Sequence, residues 1–153
     1  MIAVSFTGTR DGLTEKQSQV LFDLLYSLHI HEFHHGDCIG SDSQAHSLVN
    51  KLIIKYKKDI KTIIHPPSYD KYRAYEKGDV ILKPKSYLDR NKDIVDRGEL
   101  LIATPSGKEK LRSGTWSTIR YARKKNKSIY IIFPDGKIIK ENFAKKRKAA
   151  KKA

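Results

Sequence analysis

The sequence predicts a three-layer α/β/α domain built on a mainly parallel sheet. Three observations predict it. Short apolar or β-branched runs recur at residues 2–6, 60–65, 100–103 and 128–133. Segments with apolar residues at helical spacing lie between them. The runs at 2–6 and 100–103 lead into loops carrying glycine and hydroxyl side chains. In an open parallel sheet such loops gather at the carboxyl edge, where ligands bind.

The totals agree with one folded domain. The chain has 153 residues, enough for a real core. We read residues 1–140 as that domain and 141–153 as a basic, Lys/Ala-rich tail, frayed or disordered. Net charge is +14; six Lys/Arg fall in the last ten residues, so the body keeps +8 once those six are set aside. A basic body favours anionic partners: nucleotides, nucleic acid or acidic surfaces. Cys38 is the single cysteine, which excludes a disulfide framework and a Cys/His metal cluster. No run approaches membrane-spanning length, and no basic, apolar leader follows Met1. The expectation is a soluble, cytoplasmic chain without a membrane partner.

The first strand, 2–6, leads at once into Thr7-Gly8-Thr9-Arg10, a candidate anion loop. Thr14 caps the next helix, with Gln17 placed for a capping box. Val20, Leu21, Leu24, Leu25 and Leu28 form its apolar stripe. Residues 31–35 read as a strand in which His31, Phe33 and His35 alternate with Glu32 and His34. The strand period sends His31 and His35 to one face and His34 to the other. No Cys or Glu completes a tetrahedral set, so no metal is expected, and the histidines read as structural or ligand-edge groups. A loop over Gly36-Asp37-Cys38-Ile39-Gly40-Ser41-Asp42 follows. Ser41 or Asp42 opens a helix with Ala45, Leu48, Val49, Leu52 and Ile53 inward, and Asp42 is suited to cap it.

The strand at 60–65 stops at Pro66-Pro67, which cannot continue a ladder. Residues 68–85 read as a surface loop with a short helix, or as a lid whose Tyr69, Tyr72 or Tyr75 stacks on a base. A helix over 87–97 carries Leu88, Ile94 and Val95 inward, with Asp89, Arg90, Asn91 and Asp93 near its start. Residues 98–135 are then strand, loop, helix and strand, a βαβ unit that should be parallel and right-handed. Ser113-Gly114-Thr115 opens its helix. Taken alone that triplet is an ordinary N-cap; at a strand's carboxyl end it also makes a phosphate cradle. Trp116 falls in line with Ile119 at helical spacing, a core position. Pro134-Asp135-Gly136 turns the chain into a hairpin with Ile138-Ile139.

The loops at Gly8, Gly36 to Asp42, after Pro67 and at Ser113 to Thr115 should converge on one rim. Gly8, Thr9, Gly36, Gly40, Ser41, Ser113, Gly114 and Thr115 supply amides and hydroxyls there. Arg10, Arg90 and Arg112 supply forked donors for phosphate, and Asp37 or Asp42 meets a ribose hydroxyl.

These residues resemble the SLOG superfamily, which groups the DNA-processing protein A domain with the Lonely-guy nucleotide phosphoribohydrolases. Phe6-Thr7-Gly8-Thr9-Arg10 resembles its Gly-Ser-Arg turn. Gly36 to Asp42 with Ala45-His46 resembles the Gly-x-Ala-x-Gly-x-Asp-x-x-Ala-His segment, and Arg90-Asn91 with Ile94 resembles Arg-Asn-x-x-Ile. Arg112 to Thr115, Ile119, Ala122 and Pro134-Asp135-Gly136 follow the family's Ser-Gly-Ser loop, helix and terminal turn. The resemblance implies a Rossmann-like sheet, a phosphate-binding edge that includes Asn91, and by analogy a homodimer. It departs at one point. The Lonely-guy motif Pro-Gly-Gly-x-Gly-Thr-x-x-Glu ends in a catalytic Glu, whereas residues 112–120 contain no acid. The leading expectation is therefore a domain that binds a phosphorylated nucleoside or nucleotide-derived ligand, with no cofactor. The alternatives are a nucleoside-monophosphate N-glycosidase using Asp42 or Asp89, and a single-stranded DNA binder working through the basic surface and tail.

Overall fold

A computed structural model describes residues 1–143; the part of the expected tail over 144–153 lies outside the described residues. The described chain runs β1 (Ile2–Gly8), α1 (Glu15–Ser27), β2 (Ile30–His35), α2 (Ser41–Ile54), β3 (Lys61–Ile64), β4 (Val80–Ile81), α3 (Tyr87–Arg97), β5 (Leu100–Thr104), α4 (Gly114–Lys124), β6 (Ser128–Ile132) and β7 (Ile138–Glu141). The strands form one sheet in the order β4-β3-β2-β1-β5-β6-β7. Only the β6–β7 pair is antiparallel. This is the expected α/β, Rossmann-like architecture.

The central strands are buried on both faces, which is why they read as continuous apolar runs. On one face Val4, Phe6, Phe33, Leu100, Ile102 and Ile132 pack against Leu21 and Leu25 of α1 and Ala45, Val49 and Leu52 of α2. On the other, Leu101, Ala103, Ile129 and Ile131 meet Val95 of α3 and Trp116, Ile119 and Ala122 of α4. Trp116 thus takes the core position its spacing predicts. Leu88 does not: it is 66% exposed, on the outer side of α3, while Ile94 and Val95 are buried.

Helix α1 is locked at its start by the expected capping box. Thr14 Oγ1 also donates to the Pro134 carbonyl at 2.7 Å, and the buried Gln17 amide donates to the carbonyls of Pro105 and Ile132. These bonds tie α1 to the carboxyl ends of β5 and β6. At the sheet's other end the 68–85 segment holds no helix; it contributes the two-residue edge strand β4. At the last hairpin, Gly136 takes a left-handed φ of 89° and β7 runs on to Glu141, the first residue assigned to the tail.

The chain winds outward from β1 to β4, then returns through α3 to β5 on β1's other side. Strand order therefore reverses between β1 and β5. Loops leaving those two strands diverge to opposite faces and open a crevice between them.

Candidate functional site

The crevice is an open cleft of ≈ 440 Å³ at the carboxyl ends of β1 and β5, within the size range of small-molecule sites. Four chain segments build it. Residues 6–11 leave β1 along its floor. The Gly36–Asp42 loop and the start of α2 form one wall, the 104–115 loop and the start of α4 the opposite wall, and Tyr69, Tyr72 and Tyr87 a third.

Each segment has a local reason for its course. Ser113 caps α4, its Oγ accepting from the Trp116 N–H at 3.2 Å. That leaves the N–H groups of Gly114 and Thr115 without intrahelical partners at the positive end of the helix. A Cβ placed on Gly114 would meet nothing within 4 Å, so the space before those amides is open. Arg10 crosses the cleft with its guanidinium 3.9 Å above the Tyr72 ring, a stack that holds the planar cation flat. Lys110 and Arg112 face it from the α4 side. None of Arg10, Lys110 and Arg112 has a carboxylate partner among the described residues.

Asp42 is the cleft's buried acid. Burial pushes its carboxyl up to about 6, against the downward pull of the Arg90 guanidinium and the backbone N–H groups of Cys38 and Gly36. The Cys38 N–H donates to Asp42 Oδ2 at 3.2 Å. Asp42 does not cap α2, as its position suggested: the cap residue is Gly40, at φ 87°, and no side chain closes that end. Folding the 36–42 loop back over the helix start turns Asp42 toward the loop's own amides.

Of the residues expected at the rim, Gly8, Thr9, Arg10, Gly36, Asp42, Arg90, Asn91, Arg112, Ser113, Gly114 and Thr115 line the cleft. Four do not. Asp37 is fully buried and faces away, paired to Arg73 Nε at 2.9 Å and accepting from the Glu76 N–H at 2.9 Å. Gly40 is a close-packing point: a Cβ there would lie 2.2 Å from the Arg10 carbonyl oxygen. Ser41 is buried against Gly8, whose own missing Cβ makes room for it. Asp89 sits on the outer side of α3 with Lys92, Asp93 and Tyr121.

Arg90 lines the cleft but is spent as a structural group. Its 5% exposure reflects donation from Nη1 to the carbonyls of Gly36 and His65 and from Nε to Asn91 Oδ1 at 2.8 Å. Sequence reasoning missed Lys110, Ser106 and Tyr87. Lys110 and Ser106 lie in the loop after the strand at 100–103, and that position was a usable signal.

His34 and His35 of β2 take opposite faces, as their alternation predicts. His35 Nε2 meets His46 Nδ1 at 2.9 Å, and His34 Nδ1 meets His65 Nε2 at 2.9 Å across the sheet. Among the described residues no group of three or more His, Cys, Asp or Glu is arranged to hold a metal ion. Nor is any helix there long and apolar enough to cross a membrane. Comparison with family models, curated proteins and solved structures gives no match for this chain, so the resemblance to the SLOG superfamily rests on the motif residues alone.

Proposed function

We propose that the cleft binds a phosphorylated nucleoside. The observation that carries this is the pairing, in one crevice at the strand-order reversal, of an open helix start with a fixed aromatic wall. The amides of Gly114 and Thr115, flanked by Lys110 and Arg112, suit a phosphate. The Tyr69 ring, and the Arg10 guanidinium held flat on Tyr72, offer planar faces to a base. Asp42, on another wall of the same cleft, suits a ribose hydroxyl. Neither half alone would favour a nucleotide over a simple anion or an apolar ligand.

Calorimetry against a panel of nucleoside mono- and diphosphates tests the reading. We expect at least one to bind, and Arg112→Ala to weaken it by about tenfold or more, the worth of a charge-assisted hydrogen bond. Arg10→Ala should weaken it similarly. Silence across the whole panel, with the protein folded, would sink the proposal.

Asp42 favours a second reading, N-glycosidic cleavage of a nucleoside monophosphate. A carboxyl held near 6 inside a ligand-sized cleft is poised to exchange a proton near neutral pH. Asp89, the other acid considered, is outside the cleft. Chromatography for free base decides it: release should depend on a group titrating near 6 and vanish in Asp42→Asn. Absence of base from every monophosphate leaves binding alone.

A further inference from the structure

Arg90 lines a second, smaller cavity of ≈ 180 Å³, between the carboxyl ends of β3 and β4 and helix α3. Its polar lining is His65, Lys83, Lys85, Asp93 and Arg97 besides Arg90. Cations thus outnumber carboxylates four to one. Asp93 accepts from Lys85 Nζ. Lys83 and Arg97 have no carboxylate partner among the described residues. Lys83, Lys85 and Arg97 are exposed, so water screens them singly, but together they give this small volume a positive potential that attracts an anion.

His65 narrows the choice of anion. Its tautomer is set from behind by a chain of two hydrogen bonds. Glu32 Oε1 lies 3.0 Å from His34 Nε2. A carboxylate only accepts, so that nitrogen carries the proton. His34 Nδ1 is then an acceptor, and His65 Nε2, 2.9 Å away, must donate to it. His65 Nδ1 is left with a lone pair and no protein partner. Burial, with the positive charges of Arg97 and Arg90 adding to it, lowers the imidazole to about 3, so the ring is neutral near pH 7.

We propose that this cavity binds a protonated phosphate group, as hydrogen phosphate or a singly protonated phosphomonoester. The unprotonated oxygens, three in hydrogen phosphate and two in the monoester, accept from Lys83, Lys85 and Arg97, and the P–O–H donates to His65 Nδ1. Sulfate has the same size and charge but carries no proton at neutral pH. It would leave the His65 lone pair facing an oxygen lone pair. The site therefore selects phosphate over sulfate by a hydrogen-bond donor rather than by charge.

The test uses the full chain at fixed ionic strength near pH 7. Imidazole nitrogen resonances and the Gly114 amide are followed while inorganic phosphate, glycerol phosphate or sulfate is added. Phosphate should move the His65 and His34 rings; any movement of the Gly114 amide in the same titration reports the larger cleft and is fitted separately. Sulfate should bind about tenfold more weakly, the worth of one buried acceptor left unpaired. Arg97→Ala and Lys83→Ala alter exposed side chains and should each weaken phosphate by about fivefold or more. Glycerol phosphate moving the same rings would identify a phosphomonoester as an occupant; inertness would restrict the site to the free ion. Equal affinity for sulfate, unmoved histidine rings, or retention of binding in Arg97→Ala overturns the proposal. The readout is independent of whether any nucleotide enters the larger cleft.

Discussion

Gly114 and Gly40 lack a side chain for opposite reasons, and adding one methyl group to each separates them. Around Gly114 a Cβ meets nothing within 4 Å, and its φ is not in the left-handed range. Ala there suits the first turn of α4 better than Gly does, so Gly114→Ala should leave stability unchanged or raise it by up to ~1 kcal/mol. If a phosphate comes up against that backbone, the same change should weaken nucleotide binding about tenfold or more. A variant that is no less stable in urea yet binds worse would assign the open space to the ligand. At Gly40 a Cβ would lie 2.2 Å from the Arg10 carbonyl oxygen, at a φ of 87°. The atoms it would meet, of Arg10 and Thr9, are all backbone, so nothing flexible can yield. Gly40→Ala should cost ~2 kcal/mol or more, seen as a lower urea midpoint. The two loops that form the floor and one wall of the cleft meet at this point, so losing it should also disturb Arg10.

Asp37 pins the tyrosine segment, so we expect it to act as a wall rather than a lid. Asp37 sits at a φ of 58° with its side chain fully buried, and holds Arg73 Nε and the Glu76 N–H. Its carbonyl accepts from the Ala74 N–H, and the Tyr72 carbonyl accepts from the Ile39 N–H. Asp37→Ala removes both carboxylate bonds and strands the Arg73 charge. We expect a loss of ~3 kcal/mol, typical of breaking a buried pair from one side, together with tryptic cleavage at Lys71 or Arg73 that the native chain resists. Native cleavage at the same rate would mean that the segment moves freely. The sequence exposes little of this arrangement. Helices and central strands are legible because their apolar spacing is local: α3 follows its period from Tyr87 to Arg97. The edge strand β4 has two residues and no period to read. The pin joins residues some 36 positions apart. Asp37 and Arg90 look like ligand groups in the sequence because their partners arrive only on folding: Asp37 meets Arg73 and Glu76 of the 68–85 segment, and Arg90 meets the chain just beyond β2 and β3.

At the scale of the whole molecule, the buried titratable groups set how stability responds to pH, and they oppose one another. His35 and His65 are each held at about 3, chiefly by burial, against an ordinary 6.5. The unfolded chain protonates them below 6.5 and the folded chain refuses. Each therefore contributes stability that is full above 6.5 and is lost as pH falls toward 3. His34, also lowered by burial, acts in the same direction. Asp42 has the reverse sign. Raised to about 6 from 3.8, it contributes stability that is full below 3.8 and is lost as pH rises through 6. Between about 4 and 6 the unfolded chain holds two histidine protons that the fold lacks, and the fold holds one Asp42 proton that the unfolded chain lacks. The net from these three groups is one proton, so together they should make stability climb with pH at ~1.4 kcal/mol per unit, and His34 steepens the climb. Asp42→Asn removes the opposing proton while keeping an oxygen for the Cys38 N–H, and should steepen the slope by ~1.4 kcal/mol per unit. Urea midpoints of both proteins across that range measure it. A slope that Asp42→Asn leaves unchanged would place the Asp42 carboxyl at its ordinary value in the fold, and would remove the physical ground for a proton-transferring acid in the cleft.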